Sequence, residues 1–396
     1  MRKLLGLIGL MGLMGFLPIK PILPINPIHA QDTNRLFLHV DGSSFFIDNE
    51  YFGDRLSGYT LPGFVLQPKV EWQLHDKVTL SGGLHWLYYW GARDYPATTA
   101  YGAYPLYDSV SNPLHLLPWL QTKIHFTPDL ELTLGCLDVD GHDLPMPLYN
   151  FERSTVADPE AGFQLKYWGE WLKMDFWCDW REYIWDRSPV PERFTAGASG
   201  RLMLNNEDWT LYLPLHFVVQ HEGGQNMSVP HNINNNFNGA AGLGLKTSWH
   251  NSQLDISCRA MWFHQHGNAA VPFNNGWGVY PEVDLSLPSD WLFMTSYWHG
   301  KNYVPLLGSW HYSSLSANTE GLFFDRTRVI TLYGGKRWQF SDNRPVIRCN
   351  LIVYGTLYHY LPSTGTFADG TTKDYGHRTQ IAFGVIFQFF PTVKLH

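Results

Sequence analysis

The sequence predicts an all-β protein: a closed antiparallel transmembrane β-barrel of about 16 strands, within a range of about 14 to 18. Three observations predict this fold: strands in which apolar and polar residues alternate, connections that alternate between short and long, and tryptophans sorted to opposite strand ends. In residues 77–90, for example, apolar side chains fall on one face and polar ones on the other. Such a period of two is typical of a strand between two solvents, and in lipid only a closed barrel leaves no strand edge unsatisfied.

The order of strands and turns predicts the orientation of the barrel. The predicted strands are 35–47, 62–74, 77–91, 114–126, 130–140, 160–168, 171–185, 194–204, 208–221, 239–249, 252–264, 278–287, 291–304, 326–340, 345–360 and 377–390. Alternate pairs are joined by short turn sequences such as His75-Asp76 and His250-Asn251, and the other connections are mostly long and rich in Gly, Asn and Pro. Because barrels of this type have short periplasmic turns and long extracellular loops, both termini are expected in the periplasm.

Tryptophan placement gives an independent check on this topology. One group lies beside the short turns: Trp72, Trp168, Trp171, Trp209, Trp249, Trp291 and Trp338. A second group lies near the long loops: Trp86, Trp90, Trp180, Trp185, Trp262 and Trp298. Two belts at opposite strand ends are what anchoring at two membrane interfaces predicts.

The N-terminus has the features of a secretory signal peptide. A basic start at Arg2 and Lys3 precedes a short apolar run, and Ala30-Gln31 offers a cleavage point after small residues. The domain prediction is therefore a signal peptide over residues 1–30 and a single transmembrane barrel domain over residues 31–396. Export of a strand-only, aromatic-rich chain points to the outer membrane of a Gram-negative cell.

Composition excludes several other classes of protein. Charged residues make up only 16% of the chain, against about 25% in a typical soluble domain. The formal net charge of −7 gives no indication of nucleic-acid binding. After the leader, no segment approaches the length of about 18 apolar residues that a membrane-spanning helix needs.

In overall architecture the chain resembles the class of Gram-negative outer-membrane porins. The segment from Ile381 to Phe390 looks like the C-terminal assembly signal of such barrels, although residues 391–396 follow it here. The resemblance implies contact with outer-membrane lipid and lipopolysaccharide, insertion by the barrel-assembly machinery, and assembly as a homotrimer. It is also the basis for the leading functional prediction, passive diffusion of ions or small hydrophilic solutes.

The strand phase predicts which charged residues line the interior, because a charge facing lipid at mid-bilayer costs about 2–4 kcal/mol. The predicted pore-lining residues are Lys69, Glu71, Lys123, Glu131, Lys166, Lys173, Asp175, Asp179, Arg181, Arg201, Lys246, Asp255, Arg259, Glu282, Asp284, Arg348 and Arg378. Two interpretations remain open: a ladder of ion pairs along the wall, or a water-filled pore whose charges select solutes.

Two ligand sites are further candidates. Asp138, Asp140 and Asp143 resemble a fragment of a calcium loop, so Ca²⁺ is the one cofactor considered. The spacing is irregular, and solvated loop charge, or bridging to lipopolysaccharide through loosely held cations, is the favoured interpretation. Aromatic residues assigned to the loops would suit sugar rings and support an alternative surface-glycan-binding or capsule-assembly barrel, although packing within the loops is the favoured interpretation. They are Tyr95, Tyr101, Tyr104, Trp277 and Trp310.

An enzyme is the third class of function considered. Some outer-membrane barrels are phospholipases, proteases or enzymes that modify lipid A, with Ser/His or Asp/His groups near the outer rim. Here no Ser lies in a recognisable nucleophile motif, and His39 with Ser43 on one strand face is a weak signal. The sequence-based expectation is therefore a protein without enzymatic activity and without catalytic residues, with a lipid-modifying enzyme as the remaining alternative.

Overall fold

The computed structural model describes residues 35–90, 114–138, 141–183, 185–205, 209–224, 228, 233–267, 271–341 and 348–395. The predicted signal peptide lies outside these residues. No helix in the described ranges is both long and apolar enough to cross a membrane.

Sixteen long strands form the barrel in the described part of the chain, and they match the predicted strands closely. They are β1 Arg35–Glu50, β2 Tyr59–His75, β3 Val78–Tyr89, β4 Leu114–Thr127, β5 Leu130–Cys136, β6 Ala161–Trp168, β7 Leu172–Glu182, β8 Glu192–Asn205, β9 Trp209–Gly223, β10 Asn234–Trp249, β11 Ser252–His266, β12 Asn275–Leu287, β13 Trp291–Lys301, β15 Thr327–Ser341, β16 Arg348–Tyr360 and β19 Arg378–Phe389. Four short strands complete the set: β14 Phe323–Phe324, β17 Ser363–Thr366, β18 Thr372–Tyr375 and β20 Thr392–Lys394. The fold class predicted from the sequence is confirmed.

The sheet closes where its first and last strands meet. β1 pairs antiparallel with β19 from Gly42↔Phe389 to Glu50↔Ile381. Pro391 interrupts the last strand, and β20 then continues the pairing along the first half of β1 at Phe37↔Lys394. The residues after Phe390, which seemed a departure from the assembly signal, therefore complete the closure.

The outer face of the barrel is apolar and carries the two expected tryptophan belts. The tryptophans beside the short turns are all about 40–60% exposed on this face, as are Trp86, Trp90, Trp180, Trp185 and Trp262 at the opposite end. Trp298 is the exception, since it is fully buried and points into the lumen. Its assignment to a lipid-facing belt was wrong, because it shares strand parity with the buried Met294 rather than with the exposed Phe293.

The lumen contains two segments that fold inward from the long-loop end, residues 141–160 and 302–322, which together we call the plug. The segments join side by side, with the backbone N–H of Asn150 donating to the carbonyl of Leu307 at 2.8 Å and that of Ser309 donating to Met146 at 2.9 Å. Their apolar side chains are buried: Met146, Leu148, Tyr303, Val304 and Tyr312 are each at most 1% exposed. The barrel interior thus has a hydrophobic core at this level.

The barrel wall holds the second plug segment by side-chain to backbone hydrogen bonds. The amide of Asn238 donates to the carbonyl of Val304 at 3.0 Å and accepts from the N–H of Leu306 at 2.8 Å. The amide of Gln220, on the neighbouring strand, donates to the carbonyl of Leu306 at 3.3 Å. Buried backbone groups outside the sheet are satisfied in this way, which fixes the segment against the wall.

Close packing around Trp298 gives a prediction for stability. A Cβ added at Gly278 would lie 2.1 Å from the Trp298 ring, whereas one added at Gly355 would have only ordinary contacts, the nearest at 3.9 Å. We expect Gly278→Ala to lower the free energy of unfolding by about 1–3 kcal/mol, because the buried indole has to move. Gly355→Ala serves as the control and should have little effect. Urea unfolding in lipid vesicles, followed by tryptophan fluorescence, measures both, and equal midpoints for the two variants would contradict this account of the packing.

Candidate active site

The structure places the charged residues of the lumen on the strand faces that the sequence predicted. Every predicted pore-lining residue, from Lys69 and Glu71 on β2 to Arg348 and Arg378 on the last long strands, has the inward parity of its strand. Many are ion-paired, as in Lys69 Nζ to Asp41 Oδ2 at 2.5 Å. Their inward direction follows from the alternation of apolar and polar residues along each strand. A role in conducting ions stays a prediction.

The calcium candidates do not converge in the described residues. Asp138 is paired with Lys123 at 2.5 Å, and Asp143 makes ion-pair contacts of 2.5 Å with Arg201. Asp140 lies outside the described residues, and no group of three or more His, Cys, Asp or Glu side chains within them is arranged to hold a metal. Calcium binding therefore stays a prediction, and comparing thermal stability in calcium and in chelator would test it.

The aromatic glycan candidates are separated from one another. Trp277 is 47% exposed on the outer, lipid-side face of β12. Trp310 is only 6% exposed within the plug, so its assignment to the mouth was wrong. Tyr95, Tyr101 and Tyr104 lie outside the described residues, and glycan binding stays a prediction.

His142 anchors the first plug segment to the wall. It is fully buried at a left-handed backbone conformation (φ 51°), and its ring stacks on Trp177 with centroids 3.8 Å apart. Its Nδ1 lies 2.9 Å from Asp175 Oδ2, and its Nε2 lies 2.8 Å from Glu160 Oε2. Burial disfavours the charged ring, but the two carboxylates outweigh it and raise the pKa of His142 to about 10. A histidine that stays protonated at neutral pH is a structural cation rather than a general base.

Other polar contacts hold the same segment on both sides of the lumen. The Arg201 guanidinium contacts both carboxylate oxygens of Asp143. Across the barrel, the buried carboxylate of Glu152 accepts hydrogen bonds from Tyr59 at 2.6 Å and from Asn49 at 3.2 Å. The plug is thus fixed by charged and polar groups that are far apart in the sequence.

Two lumenal histidines share one carboxylate where the first plug segment returns to the wall, and we call this group the histidine pair. His115 Nδ1 lies 2.7 Å from Asp158 Oδ1, and His85 Nε2 lies 3.8 Å from the same oxygen. The amide nitrogen of Gln67, which can only donate, lies 2.8 Å from His85 Nδ1. His85 therefore carries its proton on Nε2, facing Asp158. Both rings are buried, at 2% and 6% exposure, whereas the Asp158 side chain is 26% exposed.

The surroundings of the histidine pair combine a cation with apolar surface. Lys69, two residues from Gln67 on the same face of β2, has its Nζ 4.5 Å from the Trp119 ring centroid. Leu117 lies between His115 and Trp119 on the lumenal face of β4, and it is 37% exposed. Solvent or ligand can therefore reach this part of the wall.

This arrangement has the elements of a general base. A carboxylate facing one imidazole nitrogen fixes the proton there and leaves the lone pair on the other nitrogen, here Nε2 of His115. The N–H of His85 points into the same group and can donate to a developing negative charge. Such a group can activate water for attack on an ester carbonyl.

Sequence analysis missed the histidine pair, although a signal was present. The pattern of residues 77–90 already placed His85 on the polar face of its strand. His115 has inward parity on β4, and both residues flank the connection between β3 and β4. A search for lumenal histidines on neighbouring strands would have found them, whereas Asp158 comes from a loop whose path has no periodic signal.

Comparison with solved structures gives several barrels of low similarity. They include the outer-membrane protein opdK from Pseudomonas aeruginosa, at 11% identity over 90% of this chain and 99% of that chain, with a TM-score of 0.47. OccK2 (OpdF) from the same organism has 11% identity over 91% and 98%, with a TM-score of 0.48. OmpT from Vibrio cholerae has 9% identity over 91% and 100%, with a TM-score of 0.43. No curated protein matches the chain.

The comparison with protein families corrects the expectation about activity. Residues 28–396 match the family model described as lipid A 3′-O-deacylase-type, which covers nearly the whole chain. A deacylase is an enzyme, so the expectation of a protein without enzymatic activity was wrong. The lack of a serine nucleophile motif does not exclude hydrolysis, because ester hydrolysis can also proceed by activation of water. The chain belongs to the lipid A 3′-O-deacylase-type family.

Proposed function

We propose that this outer-membrane barrel is an acyl-ester hydrolase that acts on a lipid A-type phosphorylated glycolipid, with its long-loop end facing the cell exterior. The observation that carries the proposal is the His115–Asp158 couple, with its Nδ1–Oδ1 distance of 2.7 Å, beside the buried N–H of His85. Membership of the deacylase-type family supports the reaction class. The histidine pair lies near the long-loop end of the barrel, at the height of the outer leaflet of the membrane. This position suits a substrate held in that leaflet.

The proposed reaction needs only water and the ester. His115 Nε2 takes a proton as a water oxygen attacks the ester carbonyl, and the Asp158 carboxylate stabilises the resulting imidazolium. The N–H of His85 donates to the oxyanion of the tetrahedral intermediate. His115 then returns the proton to the leaving alkoxide as the acyl C–O bond breaks. The products are a free fatty acid and the hydroxyl of the glycolipid.

A second candidate is the passive diffusion channel predicted from the porin resemblance. The observation in its favour is partial solvation of the ion-paired wall, since the side chains of Lys69, Asp41 and Glu71 are 16–24% exposed. Any path for ions has to pass the plug, so this candidate requires the plug to move aside, and we expect it to fail if the plug stays in place. Single-channel recording in a planar bilayer tests this candidate separately, because an open pore would give stepwise conductance in potassium chloride.

Mass spectrometry of the lipid tests the proposed hydrolase directly. The folded protein in detergent is incubated with a bisphosphorylated, hexa-acylated diglucosamine lipid, once with calcium and once with chelator. We expect loss of one acyl group from the glycolipid and release of one equivalent of fatty acid. An unchanged lipid in both conditions, with folding verified by gel mobility before and after heating, would overturn the proposal.

A further inference from the structure

The outer face of β12, β13 and β15 carries two cationic and two aromatic side chains at the long-loop end, which together we call the cationic patch. It consists of Trp277, His299, Lys301 and Arg328, and each has the outward parity of its strand. Trp277 and Lys301 are exposed and the other two are half-buried. These side chains therefore face the membrane side of the barrel rather than the lumen.

Strand register brings the four side chains together. His299 lies directly opposite Arg328, and Lys301 lies directly opposite Trp277. Directly opposed residues have Cβ atoms about 5 Å apart, and His299 and Lys301 are two residues apart on the same face of β13. The two long cationic side chains, Lys301 and Arg328, therefore lie on either side of the His299 ring, within reach of one small anion. The His299 ring also stacks on the Trp277 indole, with centroids 5.5 Å apart and planes 14° from parallel.

The positive charge of the patch is not neutralised within the described part of the chain. The exposed Lys301 has neither a hydrogen bond nor an ion pair there. Arg328 donates to the carbonyl oxygen of Pro362, a contact that orients the guanidinium without cancelling its charge. The carboxylate of Asp325, three residues before Arg328, forms no ion pair with the patch in the described residues, and its Oδ1 accepts from the backbone N–H groups of Arg326 and Thr364.

Apolar side chains continue from the patch toward the middle of the barrel on the same face. Val279, Phe293 and Leu332 are 38%, 42% and 48% exposed there. The corresponding outer position on β1 has the opposite charge, with Asp48 and Glu50 facing outward. The side with the patch therefore combines a cationic end with an apolar strip that suits acyl chains.

We propose that the cationic patch binds the phosphorylated headgroup of a membrane lipid in the leaflet at the long-loop end, with the acyl chains of that lipid along the apolar strip. The proposal concerns the outer surface of the barrel and depends on neither hydrolysis nor the histidine pair. A phosphate monoester fits this patch because its charge is shared over oxygens that can accept from a guanidinium and an ammonium together.

Native mass spectrometry of the detergent-solubilised protein tests the proposal. The probes are a bisphosphorylated diglucosamine lipid and the same lipid without phosphates. We expect the wild-type protein to retain the phosphorylated lipid at least about tenfold more tightly, and Lys301→Gln/Arg328→Gln to lose about tenfold of that preference. Loss of an acyl chain would change the mass of the bound lipid but not its phosphate content, so the result does not depend on hydrolysis.

Lys336→Gln is the matched control, because Lys336 has the same outward parity on β15 but lies at the short-turn end, against the carbonyl of Ser289. This variant should keep the wild-type preference. Equal retention of the two lipids by the wild-type protein would overturn the proposal. An undiminished preference in the folded double variant, or an equal loss in the Lys336→Gln control, would overturn it as well.

Discussion

Replacing His115 by alanine is expected to lower the rate of acyl-ester hydrolysis by about 10²–10⁴-fold, which is the usual contribution of a positioned general base. Asp158→Asn should also reduce the rate strongly, because an amide can present the wrong group to His115 Nδ1 and does not stabilise the imidazolium. His85→Gln should cost about 10²–10³-fold if its N–H donates to the oxyanion. Release of fatty acid from the bisphosphorylated glycolipid, measured at several pH values, gives these rates.

His125→Ala is the matched control for the catalytic assignment. His125 lies on the same lumenal face of β4 as His115 but at the short-turn end, where its Nδ1 is 3.2 Å from Glu131 Oε2. Its loss should leave hydrolysis within a few-fold of wild type. If His115→Ala and His125→Ala slow the reaction equally, the histidine pair is not the active site.

Replacing His142 by glutamine is expected to loosen the plug and to open an ion path through the barrel. The change removes a buried cation from between Asp175 and Glu160 and leaves the two carboxylates facing a neutral group. Breaking a buried ion pair in this way typically costs about 3–5 kcal/mol. We expect flickering conductance in a planar bilayer from the variant and none from the wild type. A variant as silent as the wild type, with unchanged resistance to urea, would show that His142 does not anchor the plug.

The raised pKa of His142 adds a dependence on pH. The charged ring stabilises the folded protein fully below its ordinary pKa of 6.5, and this contribution is lost as pH rises toward about 10. The difference in urea midpoint between wild type and His142→Gln should therefore shrink between pH 6.5 and 10. Arg193→Gln is the control, because Arg193 is 54% exposed in its ion pair with Glu222 and should matter by less than about 1 kcal/mol.

The strands were predictable from the sequence because each faces two different environments. Lipid outside and polar or packed groups inside impose a period of two, and the pattern of residues 77–90 shows it without reference to any partner. The same parity would have placed Trp298 in the lumen, but its position near a long loop was given more weight. The ends of the strands are predicted less accurately than their existence. For example, the pairing of β10 begins at Asn234, five residues before the predicted start of this strand at residue 239.

The plug and the active site were beyond a sequence pattern for a physical reason. Asp143 meets Arg201 and His142 meets Asp175 across long sequence separations, and their segment has no regular period. Burial of Trp310 likewise depends on the path of the chain inside the barrel rather than on its neighbours in sequence. Loop residues can be assigned to an aqueous mouth or to an interior core only after the path of the loop is known.

The closure of β1 by two separate strands has a consequence for how the protein can be modified. The N–H of Leu395 donates to the carbonyl of Leu36 at 2.7 Å, and that of Val40 donates to Pro391 at 3.1 Å. Trimming residues 391–396 would expose backbone groups of the first half of β1 to hydrocarbon, at several kcal/mol for each one left unsatisfied. Affinity tags and fusions are therefore better placed in a long loop than directly after Phe390, where they would compete with the final hydrogen bonds of the seam.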